Sequence, residues 1–289
     1  MAFEVKDKRF DEERALYGVR NTQVIACAFD GPADGESALK ECADIAVTDC
    51  FFNLRYPFWH VEHASIIRSE MTPLCRAALW YDKNVLIRDS KLHGIKALRE
   101  CENVSLENCD VSSAEVFWRC RGVRISSTRM ESEYPFFECR NVSISNLQLK
   151  GKYSFQYVEN LTVSDSVLDT KDAFWHAKNV TVTDSVVKGE YLGWYSENLK
   201  LVRCKIIGTQ PLCYCKGLVL EDCTMVGTDF SFERSEVIAS VSGRIEGVKN
   251  PLSGEITADE IGELLLESAY IDERNTSISC AKIDHLIKA

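Results

Sequence analysis

Apolar residues recur along this chain in short, strict alternation rather than on a helical stripe. Residues 103–109, NVSLENC, run corner, apolar, polar, apolar, polar, polar, small. The same frame begins at Asn84, Asn103, Gly122, Asn141, Asn160, Asn179, Asn198, Gly217 and Glu236, 19 residues apart each time. It continues upstream at Asp44 and His63, with a two-residue insertion within EMTPLCR (70–76) before Asn84. Position 2 holds Ile45, Ala64, Val85, Val104, Val123 and their successors, and position 4 holds Val47, Ile66, Ile87, Leu106 and Ile125. Position 9 is apolar in every turn, from Phe52 and Met71 to Ile206 and Met225. Period-two alternation with β-branched residues predicts short strands with one buried face. A 19-residue repeat with two or three such strands and no helical stripe predicts a parallel β-helix, each turn stacked ~4.8 Å above the last.

Position 1 supports this independently. Asn, Gly and Asp fill it almost completely, the residues that tolerate positive φ at a tight corner. Its asparagines are placed to hydrogen-bond along their column. The expected organisation is one domain: an N-terminal cap over 1–24, the β-helix over 25–254 and a C-terminal cap over 255–289. Open strand edges need covers. The helical-looking segments DEERALYG (11–18) and TADEIGELLLESAY (257–270) are assigned that task, the second opening with a capping-box pair, Thr257 and Glu260.

All five tryptophans, Trp59, Trp80, Trp118, Trp175 and Trp194, share position 16. That column also contains Lys40, Arg99 and Gln156, and an unpaired buried charge is costly. Position 15 carries Leu39, Phe58, Leu79, Leu98, Phe117 and further large apolar residues, never a charge. Position 15 is therefore expected to point inward, with 16 and 17 turned out. The indoles then line a flank beside His60, Tyr81, His176, Tyr195 and Tyr214, a surface suited to a glycan, a protein or a second copy of the chain. The competing view is that the tryptophans fill a wide core.

Composition narrows the partners. A formal charge of −10 opposes nucleic acid and anionic membrane, and neither is expected. No apolar run is long enough to span a bilayer, and the N-terminus lacks a signal-peptide layout. A cytoplasmic address is the expectation. Thirteen cysteines with no CxxC pair, gathered mainly at positions 7 and 18, read as small core filler rather than zinc ligands or disulfides. No metal and no cofactor are expected: His63 sits at a corner, and Arg68 and Arg203 interrupt the Asp-rich column at position 6.

Chemistry is sought where the repeat is broken. FDGPADGESALKEC (29–42) brings Asp30, Asp34 and Glu36 into a Gly/Pro-rich loop. Glu36, Arg55 and Arg76 share position 12, while Glu41, His60 and Tyr81 share position 17. Glu36 with Arg55, and Glu41 with His60, are read as ion pairs or an acid/base set. The bland alternative is a surface ladder of charges, as expected for Lys96 with Glu115 and for Arg119 between Glu100 and Glu138.

The runs ERALYG, FDGPADGESALKE, RYPFWH and RAALWYD, followed by the 19-residue turns, closely resemble an uncharacterised, mostly bacterial domain-of-unknown-function family. That family is grouped with the pectin-lyase-like right-handed β-helices. The resemblance covers nearly the whole chain and implies a single-stranded right-handed parallel β-helix. No activity is established for the family. Polygalacturonase-like enzymes of the wider group carry an Asp-Asp pair, a Gly-His-Gly and an Arg-x-Lys, which this chain lacks in matching places. The leading expectation is a non-catalytic binding or scaffold protein using its aromatic flank. Its rivals are a carbohydrate-active lyase or hydrolase using Glu36, Arg55, His60 and Arg76, and a purely structural protein that self-associates.

Overall fold

A computed structural model describes residues 3–31 and 36–289, so Asp34 lies outside the described residues. The chain divides into two compact units, Met1–Gln148 and Leu149–Ala289, and each is an all-β parallel solenoid of about 19 residues per coil.

In the first unit the strands Ala43–Thr48, Glu62–Ile67, Lys83–Arg88 and Glu102–Glu107 pair in parallel, coil upon coil. Register follows the frame: Ile45 lies opposite Ala64, which lies opposite Val85, which lies opposite Val104. The second unit repeats the arrangement, with Leu161 opposite Val180 and Val180 opposite Leu199. A second short strand carries position 9 inward, where Phe52, Met71, Leu92 and Val111 are buried.

The corners explain the polar columns. Residues at positions 1 and 6, such as Asp44, Asn84 and Asn103, and Asp49, Arg68 and Asn108, are left-handed. Asn103 donates to Asn84 at 3.1 Å, and in the second unit Asn198 donates to Asn179 at 3.0 Å. Gly122 takes the same corner, where a Cβ would stand 2.6 Å from Asn103 Oδ1. The position-6 charges pair along their column, Arg68 with Asp49 and Arg203 with Asp184, both at 2.7 Å.

After the left-handed residue at position 6, the next N–H points inward and needs an acceptor. The position-7 side chain one coil later supplies it: Cys50 N–H donates to Ser69 Oγ at 3.1 Å, and Ser69 N–H to Ser90 Oγ at 3.0 Å. The cysteines in this column thus do more than fill space, since Cys27 N–H points at Cys50 Sγ. Twelve of the thirteen cysteines are buried and all are free. Burial pushes the Cys42, Cys50 and Cys75 thiols up to about 11.

The expected helical caps are corrected by the structure. Residues 14, 16 and 18 donate their N–H groups to the carbonyls of Glu36, Ala38 and Lys40, which is the ladder of a coil side and not an i to i−4 pattern. Likewise Ser253–Leu266 is a strand paired with Glu236–Lys249 on one side and with Thr276–Ser279 and Lys282–Lys288 on the other. Its buried residues Ile256, Ala258, Ile261, Leu264 and Leu266 show spacings of two and three. A register shift between Val241 and Arg244 on the partner strand marks where the phase slips, and the mixture mimics a helical stripe.

Candidate functional site

Position 15 points inward in both units. Phe58, Leu79, Leu98, Phe117, Phe155 and Phe174 are buried, and their rings stack in files, Phe117 on Phe136 at 5.0 Å and Phe155 on Phe174 at 5.1 Å. Burying such a ring contributes roughly 1.5–3 kcal/mol. Every position-17 residue from Glu41 to Glu138, and again from Tyr157 to Tyr214, is left-handed, with φ between 52° and 60°. That turn leaves position 16 half-buried and swings position 17 outward, so each unit carries its own aromatic flank.

In the first unit the position-16 column is a stack of aromatic pairs separated by cations. Lys40 Nζ sits 4.0 Å from the Trp59 ring, Trp59 stacks on Trp80 at 5.4 Å and 9°, and Arg99 lies between Trp80 and Trp118 at 5.7 and 5.5 Å. Phe137 continues from Trp118 at 5.0 Å. Lys40 and Arg99, which argue from sequence against a buried column, are therefore π partners. The Tyr56 ring packs against both Trp59 and Trp80, at 5.9 and 6.3 Å.

In the second unit Trp175 stacks on Trp194 at 5.6 Å and 4°. Outside them runs a file of Tyr157, His176, Tyr195 and Tyr214 with successive centroid separations of 5.1, 5.1 and 4.9 Å. Tyr157 and Tyr195 are 48% and 44% exposed, and Tyr195 stacks on a neighbouring ring on either side, His176 and Tyr214.

Of the candidate catalytic residues, Glu36 and Arg55 meet at 3.6 Å and share a backbone bridge. His60 is exposed and stacks on Tyr81 at 5.1 Å and on Trp59 at 6.0 Å; among the described residues no ion pair joins it to Glu41. Arg76 is exposed on the same corner, its carbonyl accepting from Tyr56 N–H. The expected surface pairs Lys96–Glu115 (3.7 Å) and Arg119–Glu138 (2.7 Å) are formed. Asp30 bonds Arg9 at 2.8 Å and Asn53 at 2.9 Å. Among the described residues no group of three or more His, Cys, Asp or Glu is placed to hold a metal ion, and no helix is long and apolar enough to cross a membrane.

Two residues lie outside the candidates drawn from the sequence: Tyr56, although its position-13 column repeats tyrosine at Tyr134, Tyr153 and Tyr191, and Asp82. Asp82 is fully buried at position 18 within RAALWYD. Its Oδ1 accepts Val61 N–H at 2.8 Å, the task Ser235 performs for Cys215 N–H, while Oδ2 has no partner. Burial drives its carboxyl well above the usual carboxylate range.

Among solved structures the chain is similar to two Azotobacter vinelandii mannuronan C-5 epimerase A-modules. For AlgE4 the identity is 10%, covering 100% of this chain and 87% of that one, with a TM-score of 0.29. For AlgE6 it is 9%, over 99% and 88%, with a TM-score of 0.39. The GH136 lacto-N-biosidase from Eubacterium ramulus is similar at 10% identity over 98% and 62%, with a TM-score of 0.30. No curated protein matches the chain. The model of one family spans residues 3–279, and the chain accordingly belongs to the family described as "Protein of unknown function (DUF3737)".

Proposed function

We propose that this protein is a non-catalytic binding scaffold whose aromatic flanks engage a protein partner. The observation that carries this is the orientation of the rings. Trp59 and Trp80 have neighbours on both faces, Lys40 with Trp80 and Trp59 with Arg99, and His176 lies between Tyr157 and Tyr195. A sugar ring stacks on an open aromatic face, and these faces are taken. What remains for a ligand is a strip of tyrosine hydroxyls, ring edges and flanking arginines, the residue types enriched at protein interfaces. The engagement of Glu36 with Arg55, and of His60 with Tyr81, likewise favours binding over acid/base chemistry.

The test is photo-crosslinking in the native cell from a benzophenone residue at Tyr157 or Tyr195, with Lys205 on another face as control. A discrete adduct from both tyrosine positions and none from Lys205 supports the proposal. An adduct at twice the chain's mass would instead indicate self-association. A glycan array provides the contrary case: retention of a sugar, lost in Trp175→Ala, would replace a protein partner with a carbohydrate.

A further inference from the structure

The first unit's flank carries a feature that the second unit's lacks. Trp118 Nε1 donates to the Tyr134 carbonyl at 2.9 Å, Trp175 to Tyr191 at 2.7 Å and Trp194 to Gln210 at 2.8 Å. In each case the indole reaches position 13 of the following coil. Trp59 Nε1 and Trp80 Nε1 have no acceptor, and neither has Arg99 Nε, although all three atoms are buried. Native interiors leave few such groups, and each costs roughly 1–3 kcal/mol.

The backbone explains why. In the coils that accept an indole, position 15 is left-handed, at Phe136, Gly193 and Leu212. The coils following Trp59 and Trp80 are instead extended there, in the strands Leu79–Trp80 and Leu98–Arg99. The third side is built as a sheet, and no carbonyl is offered to the two indoles.

These donors sit in a distinctive setting. Lys40 lies over Trp59, Arg99 under Trp80, and Arg76 is exposed at the adjoining corner. Leu74 and Ile95 stand 60% and 41% exposed at that corner, their carbonyls accepting from Arg76 N–H and Ala77 N–H. An edge of N–H donors bordered by Lys40, Arg76 and Arg99 is locally complementary to carboxylates, against the overall charge of −10. The exposed aliphatic pair is complementary to apolar side chains rather than to a polyhydroxylated chain.

We propose that the edge formed by Trp59, Trp80 and Arg99 docks an acidic peptide segment containing apolar side chains, with Tyr56 swinging aside to uncover the indole N–H groups. The segment's carboxylates and carbonyls take the place of the position-13 carbonyl used elsewhere. This rests on the protein-partner reading and names the partner's chemistry at one flank.

The five indole N–H signals in a nitrogen-15 correlation spectrum, assigned with single Trp→Phe variants, provide the test and its internal controls. Titration with a soluble peptide of alternating glutamate and leucine should move the Trp59 and Trp80 signals and leave those of Trp118, Trp175 and Trp194 in place. Arg99→Gln should weaken the interaction about tenfold, and Tyr56→Ala should strengthen it. Stationary Trp59 and Trp80 signals would overturn the proposal, as would equal movement with a lysine–leucine peptide. Movement with an oligogalacturonate but not with the peptide would also overturn it. A crosslinked partner at Tyr195 combined with stationary indoles would sink this site alone and leave the binding function standing.

Discussion

The two flanks solve one stacking problem in different ways. In the first unit the Trp59–Trp80 pair is bracketed by Lys40 and Arg99 and keeps its indole hydrogens unused. In the second unit Trp175 and Trp194 spend theirs on backbone carbonyls, and two aromatic columns lie side by side. A hydrogen-bonded indole is tied to its coil, whereas a π-bracketed one retains an unspent polar group. The second arrangement serves stability, and the first leaves chemistry available to a partner.

Four measurements put the contrast between the flanks at risk. The largest effect is expected in the core, where the flanks should not differ: Phe58→Ala and Phe174→Ala should each cost ~3–5 kcal/mol. A marked inequality in denaturant unfolding would show that the units are not built alike beneath their flanks. Next comes Asp82, whose stranded oxygen has no counterpart where Ser235 fills the equivalent place. Asp82→Ser should stabilise the protein by roughly 1–3 kcal/mol at neutral pH.

The pH dependence of that gain has a definite sign. The folded state holds the Asp82 proton above the ordinary carboxylate pKa, while the unfolded chain releases it near pH 4. The stability from the neutral acid is complete below that pH and is lost as pH rises toward the folded-state value. Unfolding midpoints measured from pH 4 upward should decline more steeply in the wild type than in Asp82→Ser.

The indoles themselves come third. Trp175→Phe strands the Tyr191 carbonyl and should cost about 1–2 kcal/mol beyond the lost ring area, whereas Trp59→Phe removes an unpaired donor and should cost clearly less. Parallel equilibrium unfolding of the two variants decides this, and equal losses would contradict the distinction between the flanks. Smallest is Lys40→Ala, expected to remove ~0.5–1 kcal/mol of cation–π attraction, with a change in Trp59 emission but none in the Trp175 environment.

Much of this architecture is legible in the residues. Asn and Gly at position 1 mark the corners, Val and Ile at positions 2 and 4 mark the strand, and the absence of charge at position 15 marks the core. Each column is a separate vote on one geometry, so the register follows without any long-range guess. The Glu36–Arg55 pair also follows from sharing a column. The C-terminal segment imitates a helix in sequence because a slipped phase turns an alternating strand into spacings of three at Ile261 and Leu264, and Thr257 with Glu260 resembles a cap. The unused donors could not be foreseen: they depend on whether position 15 is extended or left-handed, and Leu79 and Leu212 look alike in sequence yet differ there.

The buried thiols have a practical consequence. Positions 7 and 18 place cysteines along both units, from Cys27 to Cys223, and burial keeps most of them protonated and shielded. A coil that frays uncovers its own sulfur, so brief alkylation followed by peptide mass spectrometry would record which coils breathe and in what order. The chain carries a built-in ruler for its own partial unfolding.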